Sequence, residues 1–344
     1  MQDFNPNDIG NINNNIFGLP FDEDSANIIF IPIPWDVTVS YKQGTSKAPE
    51  EIFNASFQVD LFDSFKKNAW ETGFAMLDID QEILKNNESL KNYSNKVISL
   101  LSNGISPDNS PEIQSNLKIV NKGCLDLSTK IKNLTKKHIE NNKYIGVIGG
   151  EHSVPLGFIQ ALADKFNNFG ILQIDAHADL RIAYEGFEFS HASIMNNALK
   201  IPQISKLVQI GIRDYCQDEY DIINKSNGRI KTFFDRDIKN AFYEGNTWKQ
   251  LCNEIINELP DNIYISFDID GLDPKLCPNT GTPVPDGLEL NEVFYLFEYL
   301  VSKGKKIIGF DLCEVASGND EWDANVGARV LYKLANCMAK SNGI

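Results

Sequence analysis

FGILQIDAHAD, at residues 169–179, joins an apolar run directly to a group of two aspartates and a histidine. The apolar part, from Phe169 to Ile174, is largely continuous and does not alternate with polar residues. A strand buried on both faces has this pattern, and such strands belong to parallel sheets that are covered by helices. The segment therefore predicts a central parallel strand that ends in a polar cluster.

Similar apolar runs recur along the chain and alternate with segments of helical periodicity. The other predicted strands are Ile28 to Ile33, Gly73 to Leu77, Tyr144 to Ile148, Leu207 to Ile210, Ile230 to Phe234, Ile263 to Phe267 and Lys306 to Leu312. The predicted helices are Ile83 to Leu101, Ile113 to Glu140, Pro155 to Phe166, Thr247 to Leu259, Leu290 to Val301 and Val326 to Ala339. This alternation implies βαβ crossovers. We expect an α/β fold, a single three-layer domain in which helices flank a central, mostly parallel sheet of about eight strands.

The length of 344 residues is compatible with one large α/β domain or with two average ones. The best linker candidate is Ser102 to Pro111, which contains Gly104, Pro107 and Pro111. Both of its flanks are helical, however, and no second core begins after it. We therefore predict one domain over residues 1–344, with residues 1–26 as an N-terminal extension.

Charge and cysteine content narrow the class of protein. The formal net charge of −15 would repel nucleic acid phosphates and anionic membrane surfaces, so we expect neither as a partner. A small cationic substrate is compatible with this negative net charge.

The six cysteines lie far apart without a C-x-x-C pair, and we expect reduced thiols in the core. The N-terminus has no apolar signal region and no run approaches the roughly 20 apolar residues of a membrane span, which makes a cytoplasmic location the default.

Four of the apolar runs end in, or lead directly into, unusual polar clusters. These are GGEHS at residues 149–153, DAHAD at 175–179, DIDG at 268–271 and DLCE at 311–314. Open α/β sheets bind ligands at the carboxyl ends of their strands, so these clusters are expected to meet in one crevice. Alternation along an extended segment would bring Asp175, His177 and Asp179 to one side. The same alternation would pair Asp268 with Asp270.

Carboxylates crowded in this way would repel one another and take up protons unless positive charge compensates them. The four aspartates at positions 175, 179, 268 and 270 carry four negative charges, which two divalent cations would neutralise. His152 and His177 would complete the ligand set. Hard oxygens combined with imidazole suit manganese, and also nickel, cobalt or zinc. His138 lies in a Lys-rich helical segment and is expected to be solvated and uninvolved.

The motifs GGEHS, DAHADLR, SFDIDGLDP and TGTPVPDG together resemble the signatures of the ureohydrolases, the family that contains arginase, agmatinase and guanidinobutyrase. The resemblance extends in order and spacing from about Ile28 to Ala339, and the motif pattern is most similar to that of the agmatinases. Each motif alone has ordinary structural explanations. The combination is specific, because the ligand types recur at the ends of separate predicted strands.

The resemblance implies a dinuclear metal centre, with Mn²⁺ as the expected ion and Ni²⁺ as an alternative. One ion would be held by His152, Asp175, Asp179 and Asp268, and the other by Asp175, His177, Asp268 and Asp270. A hydroxide held between the ions would attack the guanidinium carbon, because metal coordination allows it to form at neutral pH. The reaction would release urea.

The same resemblance implies catalytic roles for Asp179, His191 and Glu314. Glu314 matches the acidic residue that binds the guanidinium, a planar group that suits a carboxylate partner. His191 matches a substrate-side histidine that moves protons, since the leaving amine must receive one. Trp322 lies in the stretch Val315 to Asp323, where the sequence departs from familiar agmatinases, and is a candidate for covering a cationic substrate at the pocket mouth.

The loop Leu180 to Phe189 resembles that of agmatinases and lacks the pattern with which arginases recognise the amino-acid end of arginine. Agmatine is therefore the expected substrate, with putrescine and urea as products. Guanidine or another short guanidino compound such as guanidinobutyrate is the alternative, and arginine and formimidoylglutamate rank lower. A non-catalytic regulator ranks last, because it has no physical need for converging carboxylates. The resemblance also implies a homo-oligomer, a trimer or a hexamer.

Overall fold

One sheet of parallel strands forms the centre of the computed structural model, which describes residues 4–344. Its eight strands are β1 (Ile28–Ile33), β2 (Phe74–Met76), β3 (Tyr144–Gly149), β4 (Phe169–Ile174), β5 (Ile204–Ile212), β6 (Ile230–Phe234), β7 (Asn262–Asp268) and β8 (Lys306–Cys313). The strand order is β2-β1-β3-β8-β7-β4-β5-β6, and each neighbouring pair is parallel. The prediction of a mostly parallel sheet of about eight strands is confirmed.

The α-helices of the described residues connect these strands. They are α1 (Ala48–Ser56), α2 (Gln81–Ser102), α3 (Pro111–Glu140), α4 (Leu156–Lys165), α5 (Ile194–Ala198), α6 (Gln217–Lys225), α7 (Asp235–Tyr243), α8 (Trp248–Asn257), α9 (Leu290–Ser302) and α10 (Trp322–Asn342). The six helices predicted from periodicity correspond to α2, α3, α4, α8, α9 and α10. Periodicity does not predict α1, α5, α6 and α7, because segments of nine residues or fewer give a weak signal.

The segment Ser102 to Pro111 joins two long helices that pack against each other, α2 and α3. The side chain of Asp80 caps the start of α2 by accepting from two backbone N–H groups. Ser110 caps α3 by accepting from the backbone N–H of Ile113, and Pro111 occupies the first turn, where the missing N–H costs nothing. The linker candidate is therefore a helix–helix connection inside one fold, and no domain boundary follows from it.

The helices form two groups that flank the sheet. In one group α2, α3 and α4 pack side by side, and Phe158 of α4 lies against β8 at Gly309, where an added Cβ would be 2.6 Å from the phenylalanine ring. In the other group α1, α9 and α10 pack together, with α10 against β8. Covering helices on the strands explain why the apolar runs are continuous.

The predicted N-terminal extension contributes to the core. Ile16, Phe17 and Leu19 are buried, and the ring of Phe17 meets that of Tyr332 in α10 edge-on, with 5.0 Å between the ring centroids. Residues 1–3 of this extension lie outside the described residues. Residues 16–19 therefore pack on the sheet and its helices, whereas residues 11–13 are exposed.

The cysteines agree with the expected reduced state. All six are free thiols, and five of them are buried. Burial raises the pKa of Cys252 to about 12, which keeps this thiol protonated and unreactive. Among the described helices, none combines the length and the apolar character needed to cross a membrane.

Candidate metal centre and active site

Four neighbouring strands at the centre of the sheet carry predicted site residues at their carboxyl ends. His152 follows β3, Asp175 follows β4, Asp268 ends β7 and Glu314 follows β8. The strands β3, β8, β7 and β4 are consecutive in the sheet. Because parallel strands end at the same edge, the four polar clusters meet in one crevice.

Three aspartates surround the ring of His152. Its Nδ1 atom lies 3.0 Å from Asp175 Oδ2 and 3.0 Å from Asp179 Oδ2. Asp268 Oδ2 lies 3.4 Å from the same nitrogen. All four side chains are buried, and His152, Asp175 and Asp179 form a group that could hold a metal ion.

A second group of possible metal ligands contains Asp175, His177 and Asp270. The Nδ1 atom of His177 lies 3.1 Å from Asp270 Oδ2 and 3.6 Å from Asp175 Oδ1. Asp175 therefore presents Oδ2 to the first group and Oδ1 to the second. Asp175 is thus common to both groups of possible ligands.

The geometry at His152 fits a metal ligand. Although three carboxylates lie within 3.4 Å of its Nδ1 atom, this nitrogen makes no hydrogen bond to any residue in the range 4–344. The Nδ1 atom and the three carboxylates lie close together but are not aligned for hydrogen bonds with one another. This is expected when all of them face a common metal ion. Carboxylate oxygens and imidazole nitrogens form a suitable donor set for divalent ions such as manganese. The residues present therefore fit two divalent ions.

Burial makes the cluster dependent on compensating positive charge. Burial and neighbouring carboxylates raise the pKa of Asp268 well above its usual range. Burial and the charge of Asp175 raise the pKa of Asp179 to about 7. Burial opposes the charged form of His152 and His177, but their carboxylate neighbours prevail and raise the pKa of both imidazoles. Without cations, protons must supply the charge that two divalent ions would supply.

Alternation along an extended segment does not explain the positions of two aspartates. Asp179 has a φ of 55°, in the left-handed region, so its segment is not extended to its end. Asp270 lies in the 3₁₀ turn Ile269–Gly271, where its N–H donates to Asp268 Oδ1 at 2.9 Å. The expected grouping is therefore present, but the expected reason was wrong. A left-handed residue and a tight turn place these carboxylates.

Side chains outside the predicted site hold the ligands in orientation. Ser266 Oγ lies 2.8 Å from His152 Nε2 and donates to Asp311 Oδ2 at 2.9 Å. This contact leaves Nδ1 of His152 turned to the carboxylates. Gln173 Nε2 donates to Asp175 Oδ2 at 2.8 Å. These roles were not predicted from the sequence, although Ser266 and Asp311 stand inside two of the quoted motifs. Only their position beside the predicted ligands in the sheet reveals them.

Arg213, just after β5, is a further residue that sequence analysis missed. Its guanidinium donates to the backbone carbonyls of Asp270, Leu272 and Val284 at 2.7, 3.1 and 3.0 Å. These bonds hold the loop after β7, which carries the predicted ligand Asp270. The partners are main-chain oxygens, so no pairing of residue types in the sequence reveals them.

Glu314 lies beside the first metal group. Its Oε1 atom accepts from the backbone N–H of His152 at 2.8 Å, and its own N–H donates to the carbonyl of Gly150 at 2.8 Å. Burial raises the pKa of the Glu314 carboxyl group, and the charge of Glu151 adds to this effect. The second oxygen, Oε2, would lie 3.3 Å from a Cβ at Gly281. Because Gly281 has no side chain, no atom of that residue crowds this oxygen.

His191 begins the 3₁₀ turn His191–Ser193 in the loop after β4. It lines the same cavity as His177 and Asp179. The ring of Tyr184 meets the His191 ring edge-on, with 6.1 Å between the ring centroids. Burial, assisted by the charge of His177, lowers the pKa of His191 to about 4. The imidazole is therefore neutral near pH 7 and has a nitrogen that can accept a proton.

A cavity of about 640 Å³ opens from the centre, a volume typical of small-molecule sites. Its lining includes His177, Asp179 and His191. It also includes Glu185 and Asp214, two carboxylates outside the predicted ligand set. The Oε2 atom of Glu185 is buried and has no hydrogen-bond partner among residues 4–344. The cavity thus combines the metal cluster with additional negative charge.

Trp322 is the first residue of α10 and is 48% exposed. Its indole N–H donates to the carbonyl of Lys275 at 2.9 Å, in the loop between β7 and α9. The adjacent Asp323 is buried and accepts from the backbone and side-chain amides of Asn279 at 2.9 and 3.0 Å. Trp322 therefore contacts the loop that carries the TGTPVPDG motif. Trp322 is not among the described residues that line the cavity at His177 and His191, and its role in covering a substrate stays a prediction.

The prediction that His138 is solvated was wrong. Its side chain is only 2% exposed and lies on the buried face of α3. Burial lowers the pKa of His138, and the nearest carboxylate oxygen, on Glu23, is 3.9 Å from Nε2. The lysine-rich composition of the segment describes the exposed face of the helix, whereas His138 shares the opposite face with Ile131 and Thr135.

Comparisons with known proteins agree with this geometry. A model of the arginase family matches residues 26–337. The N(1)-aminopropylagmatine ureohydrolase of Synechocystis sp. is 27% identical, over 92% of this chain and 90% of the relative. The agmatinase of Pyrococcus horikoshii is 28% identical, over 93% of this chain and 94% of the relative. The crystal structure of the agmatine ureohydrolase of Thermoplasma volcanium aligns with a TM-score of 0.71 at 23% identity, covering 94% of this chain and 93% of that one.

Proposed function

Because this chain belongs to the arginase family, we propose that it is a metal-dependent hydrolase that cleaves the guanidino C–N bond of agmatine to give putrescine and urea. The resemblance of its motifs to ureohydrolases of the agmatinase type is confirmed by the family match and by the relatives. These relatives cover nearly the whole chain, so the proposal concerns the complete fold and not one motif.

The choice of agmatine rests on one observation, which is the charge of the cavity. Glu185 and Asp214 line the cavity together with residues of the metal centre. Two cations line it as well. Arg181 has its Nε atom 3.8 Å from Glu219, a third carboxylate of the lining, and Lys42 donates its ammonium to the carbonyl of Pro278 at 3.4 Å. Outside the predicted ligands, the lining therefore has three carboxylates and two cations. Negative charge therefore remains for a second cationic group, in addition to the guanidinium that Glu314 would bind. Agmatine carries a guanidinium at one end and an ammonium at the other.

The predicted ligand set would hold two divalent ions, and it consists of His152, Asp175, His177, Asp179, Asp268 and Asp270. When bound, such ions provide an activated water molecule as the nucleophile at neutral pH. We propose Mn²⁺ as the resident ion and Ni²⁺ as the alternative, since four of the six ligands are hard carboxylates.

The remaining roles belong to side chains of the chain itself. Glu314 Oε2 would accept the N–H groups of the guanidinium and fix its plane, while Oε1 stays bonded to His152. Asp179, which lines the cavity, would accept a hydrogen bond from the attacking water. His191 would take up a proton and deliver it to the leaving amine. Without that proton the amine would have to leave as an anion, which is far slower.

Guanidine and other short guanidino compounds are the second candidate, and Trp322 is the residue that favours them. A tryptophan over the pocket mouth would shorten the cavity and stack on a cation. The cavity of about 640 Å³ is large for so small a substrate, which places agmatine first. Guanidinobutyrate and arginine carry a carboxylate at the second end, and the charges of Glu185 and Asp214 would oppose it.

We also propose that the protein is a cytoplasmic homo-oligomer, a trimer or a hexamer. The family resemblance supports this assembly, and the net charge of −15 gives no support for a nucleic acid or membrane partner. Light scattering coupled to gel filtration measures the assembly directly, and a monomer at micromolar concentration would contradict it.

Urea release from purified protein tests the proposed reaction. Separate manganese-loaded and nickel-loaded samples are offered agmatine, guanidinobutyrate, arginine and guanidine. We expect the highest kcat/KM with agmatine. A preference for guanidine would replace the substrate and give Trp322 a role in the pocket. Protein that binds two metal ions and releases urea from none of these compounds would overturn the proposal.

A further inference from the structure

Thr38 lies in the loop after β1 and is fully buried, yet no role follows for it from the proposed reaction. We propose that Thr38 is a positioning residue for His191, with Glu151 as the buried acceptor that fixes the threonine hydroxyl. The inference rests on the proposed function for the role of His191. It is supported independently by contacts among three loops that follow three different strands.

Glu151 holds Thr38 at two points. The backbone N–H and the hydroxyl of Thr38 both donate to Glu151 Oε2, at 2.8 and 2.9 Å. Ser153 Oγ donates to the other carboxylate oxygen at 2.7 Å. Glu151 is itself fully buried and donates its backbone N–H to the carbonyl of Trp35 at 2.7 Å. A residue whose backbone and hydroxyl are both bonded to one buried acceptor has little rotational freedom at that hydroxyl.

The close approach of the two loops depends on Gly150. A Cβ at this position would lie 2.0 Å from the carbonyl oxygen of Trp35, which no side chain can tolerate. The second glycine of the GGEHS motif therefore lets the loop after β1 reach Glu151. This requirement accounts for a motif position that binds neither metal nor substrate in the proposed site.

Thr38 in turn contacts His191 through the same hydroxyl oxygen. Thr38 Oγ1 accepts from the backbone N–H of His191 at 3.3 Å and lies 3.4 Å from its Nδ1 atom. Ser190 Oγ lies 3.5 Å from the same ring nitrogen and accepts from the backbone N–H of Ala192, so Thr38 Oγ1 is the nearer of two hydroxyl oxygens. A hydroxyl has one proton, and here that proton is donated to Glu151. The oxygen therefore offers His191 lone pairs only, which favours a proton on Nδ1. The other ring nitrogen, Nε2, is left to accept and release the proton of the reaction.

The anchor of this loop lies away from the metal centre. The buried Asp36 accepts from Lys91 Nζ at 2.8 Å and from Asn87 Nδ2 at 3.0 Å, both in α2. Its other oxygen accepts from the backbone N–H of Gly44 at 3.1 Å, at the far end of the loop. Thr38 thus stands in a loop that is fixed at both ends, which suits a residue that must hold another side chain in place.

Thr38→Val and Thr38→Ser test the inference as a matched pair. Valine keeps the shape and the backbone N–H to Glu151 but removes the hydroxyl, whereas serine keeps the hydroxyl. We expect Thr38→Val to lower kcat about tenfold, with KM for agmatine and the two-metal content close to those of the unaltered protein. Thr38→Ser should restore most of kcat.

The tautomer of His191 provides a readout that does not depend on activity. The chain has only four histidines, so ¹⁵N spectra of ring-labelled protein are readily assigned with one His191→Asn reference. We expect His191 to be mainly protonated on Nδ1 in the unaltered protein and in Thr38→Ser, and to show a mixture of tautomers in Thr38→Val.

Two results would overturn the inference, and neither is the result that would overturn the proposed function. One is a His191 tautomer in Thr38→Val that is the same as in the unaltered protein. The other is a loss of kcat in Thr38→Ser that is as large as the loss in Thr38→Val. Failure of the proposed function would instead appear as absence of urea release by the unaltered protein, whatever the histidine spectra show. If Thr38→Val does not fold, Thr38→Ser and the spectrum of the unaltered protein still decide, since a dominant Nε2–H tautomer contradicts the inference.

Discussion

The backbone N–H of His152 donates to Oε1 of Glu314 at 2.8 Å, so a proposed metal ligand and the proposed guanidinium partner are fixed to each other. The N–H of Glu314 donates to the carbonyl of Gly150, which ties the ends of β3 and β8 together a second time. One oxygen of Glu314 is therefore committed to structure. Only Oε2 remains for a substrate, and crowding that atom should affect binding more than folding.

We expect Gly281→Ala to raise KM for agmatine by about tenfold, a loss of about 1.4 kcal/mol in binding. The added Cβ would lie 3.3 Å from Glu314 Oε2, in the space that the guanidinium needs. Alanine fits the backbone, because Gly281 is not among the glycines with positive φ. Steady-state kinetics measure the change, with Gly10→Ala as the control, whose new Cβ would contact Phe57 at 3.4 Å. An unchanged KM would mean that Oε2 does not contact the substrate.

Asp175→Asn and Asp268→Asn should each abolish binding of two metal ions. Asp175 belongs to both groups of possible ligands, and Asp268 lies 3.4 Å from His152 Nδ1, so each change removes a charge that both ions are proposed to share. Elemental analysis after gel filtration gives the metal content per chain. Asp261→Asn is the control, because that side chain is 93% exposed. Two metal ions per chain in either variant would refute the ligand set.

Ser266→Ala should weaken metal binding about 10- to 100-fold while the ligands themselves stay in place. Ser266 lies between His152 Nε2 and Asp311, and its removal leaves the imidazole free to turn. Competition with a chelator measures the affinity. Ser205→Ala is a suitable comparison, since that hydroxyl makes only a 3.4 Å bond to the carbonyl of Phe169. Equal affinity in the two variants would remove Ser266 from the orientation of His152.

Glu185→Gln and Asp214→Asn should raise KM for agmatine several-fold and leave KM for guanidine nearly unchanged. Each change removes one negative charge from the cavity without changing the size of the side chain much. Only a substrate with a second cationic group should respond. Parallel kinetics with both substrates separate this effect from general damage. The same rise in KM for guanidine would show that these carboxylates do not distinguish the two ends of the substrate.

The strand pattern and the motifs predicted much of this fold, because burial on both faces leaves a direct mark on the sequence. Carboxylates and imidazoles at strand ends are also conspicuous among apolar residues, and the structure brings these side chains together as the sequence predicts. His138 shows the limit of composition. Its neighbours in sequence are lysines, but its neighbours in space are the apolar residues on the same face of α3.

The support around the site could not be predicted in the same way. Arg213 bonds to main-chain carbonyls, which every residue possesses, so its partners have no signature in the sequence. Thr38 and His191 are separated by 153 positions, and only the close approach of two loops brings them together. The left-handed conformation of Glu314 is likewise imposed by surrounding structure, since glutamate rarely adopts positive φ.

The pair of Asp36 and Lys91 should give the protein a pH-dependent stability that is unrelated to the metal centre. Burial alone would raise the pKa of Asp36, but hydrogen bonds from Lys91 and Asn87 outweigh it and hold the pKa below the ordinary 3.8. A depressed pKa stabilises the fold above the unfolded value near pH 4, and the contribution disappears as the pH falls through the folded value. Lys91→Met leaves this buried carboxylate without its cation and should cost about 3 kcal/mol at pH 7.

Urea denaturation at pH 7, 5 and 4 tests this prediction through the difference between Lys91→Met and the unaltered protein. We expect the difference to be largest at pH 7 and to shrink towards pH 4, because the uncompensated Asp36 of the variant takes up a proton and the ion pair of the unaltered protein begins to lose its advantage. Lys122→Met is the matched control. Its partner Asp126 is 58% exposed, and exposed pairs contribute little to stability. A difference that stays constant with pH would show that Lys91 acts through packing, since only an effect on the Asp36 charge can follow that titration.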